Sequence, residues 1–445
     1  MELQCHLKVC KESLKVNERE RVEVKTVLPT GGLNASKTQT FRVLWKNNGE
    51  AVFHKDCWTS LLKAATARKK YKDLPDLTVE EKVLVKEAAK TAEFFYSMSG
   101  MKEEAKRVVE MIRKSEFCVV FTGAGISTSA GIGDYRGKSG KWTEMDQNAV
   151  NMDSLFGEES TCTYSTEIGP PTKKAKTDSE QSDDLESDDE EDDGVPYESL
   201  RPTYTHEALQ KLIEIGHVKH IISQNGDGLH TLSGVSYDKI SELHGNVFIE
   251  KCGKCGERFE RDFYVMDDVC SQYYEELEDY GKTNIIKPKH AKQCELCNLS
   301  HRTGRKCSKN GCKGYLIDTI INFRDNLEEE ILNQAENISE QCDLMICLGS
   351  TLTVTPACDL VEMIKIPQRL VICNRQKTEK DNVCLEKDKK GITLGSRIFG
   401  DCDTFMREIM KNIMPSKDLE KWEASRNDRM KIYDTKRNTD IKRIL

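Results

Sequence analysis

Long apolar runs are missing from these 445 residues. None approaches the eighteen that a membrane-spanning helix needs, which excludes such a helix. Residues 1–13 lack the apolar stretch of an export signal, so secretion is not expected. No internal repeat is found. Apolar residues are sparse overall, 37% against 32% charged, with a mean hydropathy of −0.61. That balance is polar for a globular protein and implies that segments without a core dilute ordinary domains. At this length two or three folded units are expected. Cysteine, by contrast, is plentiful. Eighteen of them without an export signal read as reduced thiols and metal ligands in a cytosolic or nuclear compartment.

The net charge of −8 is set by one short block. Residues 178–193 hold eleven Asp or Glu and no Lys or Arg, so setting those eleven aside leaves the remainder at +3. Residues 152–201, with Pro170-Pro171, Lys173-Lys174-Ala175-Lys176 and the acidic block, cannot bury enough apolar surface to offset their ordering entropy and read as a disordered insert.

Around that insert the pattern is that of an α/β protein. Short apolar runs at 117–122, 218–223, 344–348 and 369–373 alternate with helical patterns such as 207–215 and 327–340. Strands alternating with helices predict a doubly wound parallel sheet covered on both faces. The flanks differ. Residues 1–70 hold β-rich stretches at 21–28 and 40–46. A helical linker is expected over 71–101, with a break near Gly100 before a helix at 102–114.

Three polar motifs stand out, the first two directly after predicted strands. Phe121-Thr122-Gly123-Ala124-Gly125-Ile126-Ser127 runs on to Gly131-Ile132-Gly133-Asp134-Tyr135-Arg136-Gly137. Glycines there let the backbone approach a pyrophosphate, although a Gly-x-Gly alone is as often a tight structural turn. Ser223-Gln224-Asn225-Gly226-Asp227-Gly228-Leu229-His230 places polar side chains at a strand's carboxyl end, where a plain Gly/Asn/Asp turn is the rival reading. Leu243-His244-Gly245 carries a histidine that in isolation would more often be structural. A fourth constellation is metallic: Cys252, Cys255, Cys307 and Cys312 supply two thiolate pairs for a closed structural zinc site. Cys294-x2-Cys297 competes for that role by spacing.

Taken in order with Leu348-Gly349-Ser350-Thr351-Leu352-Thr353-Val354 and Cys373-Asn374, these motifs resemble the sirtuin family of NAD-dependent protein deacylases. The likeness spans 102–411 and is greatest to the nuclear class IV branch, especially that of the seventh mammalian paralogue. It implies a Rossmann-like catalytic domain in three parts (102–151, 202–245, 313–411) with the insert at 152–201, a zinc-ribbon small domain at 246–312, and a charged tail at 412–445. It also implies roles. Gly123, Ala124, Gly125, Ser127, Asp134, Tyr135 and Arg136 would hold the pyrophosphate, nicotinamide ribose and cofactor loop. Gln224, Asn225 and Asp227 would form the nicotinamide pocket and ribose contacts. Gly349, Ser350, Thr351 and Asn374 would contact phosphate and ribose, and Cys402 would close over adenine. His244 would be the general base, with Asn225 and Asp227 as its catalytic partners. NAD would be consumed as co-substrate: nicotinamide leaves its ribose, an acyl-lysine oxygen attacks that carbon, and a ribose hydroxyl deprotonated by His244 adds to the resulting imidate. The family position favours Cys307 and Cys312 over Cys294 and Cys297, which are left as spare thiols or part of another site.

The chain departs from the family at Gly133, Tyr135 and Gly226, and at Phe323-Arg324-Asp325, where many members have Phe-Gly-Glu beside the acyl-lysine channel. The flanks add further expectations. Cys5, Cys10, His54 and Cys57 form a candidate second zinc site in an interaction module, or else are unliganded thiols. Residues 173–176 read as a nuclear import signal, Ser182 and Ser187 as sites for an acid-directed kinase, and the acidic run as a solvated insert or a binder of basic tails. The tail from Lys411 has ten Lys or Arg against six Asp or Glu and reads as a solvated helix or a weak nucleic-acid contact. The expected activity is NAD-dependent deacylation of histones or other chromatin-associated or nucleolar proteins, in the nucleus and away from membranes. Mono-ADP-ribosyl transfer and a catalytically weak, NAD-sensing chromatin scaffold are the rivals.

Overall fold

Each apolar run that the sequence marks as a strand ends on a polar or glycine turn, and those ends collect along one edge of a single sheet. The computed structural model describes residues 2–16, 18–28, 40–68, 72–133, 195–266, 294–297 and 299–437. Asp134, Tyr135, Arg136, residues 173–176, Ser182, Ser187 and the acidic block lie outside them.

An N-terminal unit comes first. β1 (Glu2–Gln4) pairs with β2 (Ser13–Lys15), and β3 (Arg21–Lys25) lies between β4 (Glu50–His54) and β5 (Glu93–Phe95) in an antiparallel sheet. α1 (Lys55–Thr66) and α2 (Val79–Lys90) cover it over a core that includes Val22, Phe53, Trp58, Leu61 and Val85. α2 opens on a capping box, in which Thr78 and Glu81 satisfy each other's backbone N–H groups. Two readings are corrected here. Residues 71–101 are no linker: Phe94 of β5 pairs with Val22, so the unit runs well past residue 70. Residues 40–46 form no strand, because Phe41 buries its ring against Leu84 of α2 and only Val43 makes a bridge, to Leu7.

α3 (Met98–Lys114) begins at Ser97, whose hydroxyl accepts the Gly100 N–H, so Gly100 lies inside the first turn and marks no break. Its stripe of Met101, Ala105, Val108, Val109 and Ile112 is buried and leads into β6 (Cys118–Thr122). Gly131 and Val195 lie side by side, a Cβ built on the glycine standing 3.7 Å from the valine side chain. The stretch read as disordered through 201 is corrected at its end: 195–201 are described, with a 3-10 turn at Tyr197–Ser199 and Leu200 buried. α4 (Tyr204–Glu214), β7 (His220–Ser223), the short α5 (Leu229–Leu232) and β8 (Ile240–Glu242) follow. β9 (Ile249–Cys252), β10 (Arg258–Glu260), β11 (Arg302–Lys306) and β12 (Tyr315–Asp318) make a separate antiparallel sheet in the order β10-β9-β12-β11. This small domain therefore extends beyond residue 312. Then come α6 (Glu329–Gln341), β13 (Leu344–Leu348), β14 (Leu370–Cys373), α7 (Asp381–Leu385), β15 (Ser396–Ile398) and α8 (Cys402–Ile413).

The main sheet is the expected doubly wound parallel one, in the order β15-β14-β13-β6-β7-β8. The chain leaves β6 towards β7 on one side and returns at β13 on the other, so strand order reverses between β6 and β13. Cys118 and Val120 of β6 face one core, with residues of α3, α4 and α8. Val119 and Phe121 face the other, with residues of α6.

The C-terminal segment is not a solvated tail. α9 (Ser416–Ala424) and α10 (Arg426–Thr435) fold back on α4: Trp422 meets Tyr204 edge-on at 5.5 Å, and Tyr433 is buried. Arg426 and Arg429 pair with buried Glu207 at 3.1 and 3.2 Å. Two of the cations counted towards nucleic-acid contact are therefore satisfied internally. The N-terminal unit is tied on through β5, where Phe94 N–H donates to Arg375 O and Tyr96 N–H to Phe399 O, both at 2.8 Å.

Candidate functional site

Parallel strands all deliver their outgoing loops to one edge. The loops after β6, β7, β8, β13, β14 and β15 carry Gly123, Gln224, His244, Gly349, Asn374 and Cys402 in turn. Two of these loops touch backbone to backbone. A Cβ on Gly125 would lie 2.8 Å from Gly349 Cα, and Gly125 N–H donates to Gly349 O at 2.8 Å. Only glycine permits that approach, and it leaves an open cradle at the switch point, where α/β sheets take their ligands.

Side chains tie the loops together. Ser350 Oγ donates to Gln224 Oε1 at 2.8 Å. Asn225 Nδ2 donates to Gly123 O at 3.2 Å and to Ser127 Oγ at 3.3 Å. Ser127 Oγ donates to Asp227 Oδ2 at 2.6 Å, and Asp227 Oδ1 accepts the Leu229 N–H. Ser127, Asn225 and Asp227 are all buried. Such a network fixes side-chain positions before any ligand arrives.

His244 is held by geometry that also sets its tautomer. Its Nδ1 lies 2.8 Å from Gln224 O, and a carbonyl only accepts, so Nδ1 carries the proton and Nε2 keeps its lone pair. Burial lowers the imidazole pKa, opposed in part by the Gln224 bond, so the ring is neutral at pH 7. Next to it, Gly245 has φ +78°, and a Cβ there would stand 1.8 Å from Thr319 O. Ile321 N–H donates to His244 O at 3.1 Å, so the chain leaving β12 braces the histidine. Chemically, Nε2 can accept a proton from a group bound at the edge.

Beneath this layer lies a second one, in which the motif residues Thr122, Ser223 and His230 meet His206, a grouping the motifs do not announce. Thr122 Oγ1 lies 3.0 Å from both Ser223 Oγ and His230 Nε2, and the His230 and His206 rings meet at 4.7 Å. Burial pushes both imidazoles down to about 3, so both are neutral. Glu242, whose side chain accepts from Asn246 Nδ2, is pushed up to about 8 by burial. Neighbourhoods of this kind depend on long-range packing and leave no local pattern.

At the other end of the edge lies an open pocket, lined by Gly125, Thr128, Gly349, Asn374, Cys402 and Glu93 among others. Asn374 and Cys402 are buried at its wall. Glu93 comes from β5, a contribution hidden by reading that stretch as linker. Ala124 lies in the 3-10 turn after Gly123. Thr351 stands apart from the network, its hydroxyl meeting Thr353 at 3.1 Å.

The structure brings Cys252, Cys255, Cys307 and Cys312 together, with all four sulfurs within 4.8 Å of one another. Sulfurs on a tetrahedral zinc at about 2.3 Å stand roughly 3.8 Å apart. Cys252 and Cys312 are at 3.6 Å, Cys255 and Cys307 at 3.8 Å, and all four are free thiols. Lys254 and Cys255 N–H groups point at Cys252 Sγ, as thiolate ligands favour. The set fits zinc. Cys5, Cys10, His54 and Cys57 cluster as tightly. Cys10 Sγ lies 3.5 Å from His54 Nδ1, while Nε2 lies 3.4 Å from Ser13 O, so the metal-facing nitrogen is the unprotonated one. This set fits zinc too.

Comparison with known proteins adds the ancestry of these loops. A model described as the Sir2 family matches residues 190–356. The NAD-dependent protein deacetylase SRT1 of Arabidopsis thaliana is 34% identical over 291 residues, 65% of this chain and 47% of that protein. The NAD-dependent protein deacetylase Sirt6 of Drosophila melanogaster is 33% identical over 292 residues, 65% of this chain and 72% of that protein. The NAD-dependent protein deacetylase sirtuin-7 of Homo sapiens is 30% identical over 321 residues, 70% of this chain and 60% of that protein. The chain spans about half the length of the plant relatives it matches.

Proposed function

Since the chain belongs to the Sir2 family, the sirtuins, we propose that it is an NAD-dependent protein-lysine deacylase, acting chiefly as a deacetylase. NAD is the co-substrate, its pyrophosphate lying over the Gly123–Gly125 turn and its adenosine against Asn374 and Cys402. Nicotinamide is released from its ribose, and the acyl group leaves lysine as O-acyl-ADP-ribose. The observation that carries the reading is His244: neutral, anchored through Nδ1 on Gln224 O, and with its Nε2 lone pair kept at the edge where the sheet's loops converge. Its part is to take a proton from a ribose hydroxyl. Asn225, Asp227 and Ser127 orient that ribose and keep water from it. Both cysteine-rich zinc sites are structural: four protein ligands leave no open position.

The substrates are acyl-lysine proteins of chromatin or the nucleolus, histone tails among them, and the protein works in the nucleus. The class IV resemblance and the basic run at 173–176 support that placement. The test is incubation of the full chain with NAD and a panel of acylated histone peptides, measuring nicotinamide and O-acyl-ADP-ribose together. Equimolar release, abolished in His244→Ala, is expected. Nicotinamide without the acylated product would instead indicate mono-ADP-ribosyl transfer or hydrolysis, and the absence of both would leave a scaffold.

A further inference from the structure

Cys294 and Cys297 are not spare. Their sulfurs, the His301 imidazole and the Asp325 carboxylate gather so that one ligand atom from each lies within 4.8 Å of all the others. We propose that these four residues bind a further tetrahedral zinc ion, separate from the ribbon and N-terminal sites, which staples the turn at 322–325 to the outer edge of the ribbon sheet.

Three observations carry this. The first is the knuckle. Leu296 N–H points at Cys294 Sγ at 3.4 Å, two residues on, as Lys254 N–H points at Cys252 Sγ at 3.4 Å in the ribbon. The same backbone device thus presents a Cys-x2-Cys pair twice. The second is the spacing. Bonds of about 2.0 Å to oxygen and nitrogen and 2.3 Å to sulfur give tetrahedral edges of roughly 3.3–3.8 Å. Cys297 Sγ to His301 Nε2 and Cys294 Sγ to Asp325 Oδ1 are each 3.3 Å, and the second carboxylate oxygen, Oδ2, lies 3.3 Å from His301 Nε2. The third is the outer support. His301 Nδ1 donates to Asp318 Oδ1 at 2.9 Å, which turns Nε2 towards the other ligands, as carboxylate–histidine–metal triads do. Asp325 is positioned in turn by the Asn322 N–H on its Oδ2 at 2.9 Å. Two thiolates with one imidazole and one carboxylate suit zinc over magnesium or calcium, which prefer all-oxygen sites.

The site also gives a physical reason for the departure at Phe323-Arg324-Asp325. Asp325 supplies the fourth ligand, and the turn that carries it holds Arg324 at φ +82°, a conformation a non-glycine residue keeps only when its surroundings impose it.

The test compares bound zinc in the full chain and in a Cys294→Ser/Cys297→Ser variant after exhaustive dialysis. The variant should hold one equivalent fewer per chain; equal contents would overturn the proposal. If the variant fails to fold, the unaltered chain decides. Cys294 and Cys297, both half-buried, should resist iodoacetamide in the metal-replete protein and react once a strong chelator is added. Labelling of these two that is the same with and without chelator would overturn it.

Discussion

Replacing Gly245 with alanine probes how firmly the backbone beside His244 is held. At φ +78° an alanine is strained by roughly 1–2 kcal/mol. Its Cβ would also stand 1.8 Å from Thr319 O and 2.4 Å from the carbonyl carbon. Those are backbone atoms and cannot rotate aside. Thr319 is pinned as well, its hydroxyl donating to Asn246 O at 3.0 Å and accepting the Asn246 N–H at 3.1 Å. Forcing an atom into such a space adds about 1–3 kcal/mol, for a total of about 2–5 kcal/mol. Gly216→Ala is the control: φ is +81° there, but nothing lies within 4 Å, so only the strain of about 1–2 kcal/mol remains. Urea midpoints of the two variants isolate the steric part. Turnover should separate them further, because a shift of about 1 Å at a proton acceptor costs on the order of 100-fold in rate. Gly216→Ala should keep full turnover. Equal losses of stability, or undiminished turnover in Gly245→Ala, would refute the reasoning.

Three other outcomes are expected. With its pKa lowered by burial, His244 stays unprotonated to lower pH than an ordinary imidazole near 6.5, so kcat/KM should be flat from pH 8 to 7 and fall only below about 6.5; an acid limb centred above 7 would contradict this. His206 and His230 have folded pKa values of about 3 against about 6.5 unfolded, so their contribution is complete above 6.5 and is lost as pH falls towards 3. Between pH 7 and 5.5 the pair should cost about 2–3 kcal/mol, read from urea midpoints at the two pH values. Arg429→Ala removes a partner of buried Glu207 but leaves Arg426 and the Tyr433 hydroxyl, so a loss of about 3 kcal/mol is expected; an unchanged midpoint would mean that the C-terminal helices are not docked.

Much of the sheet is legible in the sequence because buried parallel strands are continuous apolar runs: the run at 344–348 has the observed bounds of β13, and those of β6, β7 and β14 agree to within two residues. β8 and β15 escape because three residues containing Ser, Glu or Arg carry no such run. The site motifs are legible for a related reason: polar residues directly after a parallel strand share one edge whatever the intervening chain does. Contacts that close over long separations are not. β5 looks like a linker until β3 pairs with it, and the C-terminal helices look solvated until Glu207 is seen beneath Arg426 and Arg429. His301 lies four residues after Cys297 in plain view, but its role depends on Asp325, which only the fold brings near.

Gly131 and Val195 lying side by side has a bearing on how this chain can change. Gly131 holds a φ of +103°, so any side chain placed there takes on backbone strain of about 1–2 kcal/mol and sets its Cβ against the Val195 side chain. A residue without a side chain is thus what this meeting of two distant stretches favours.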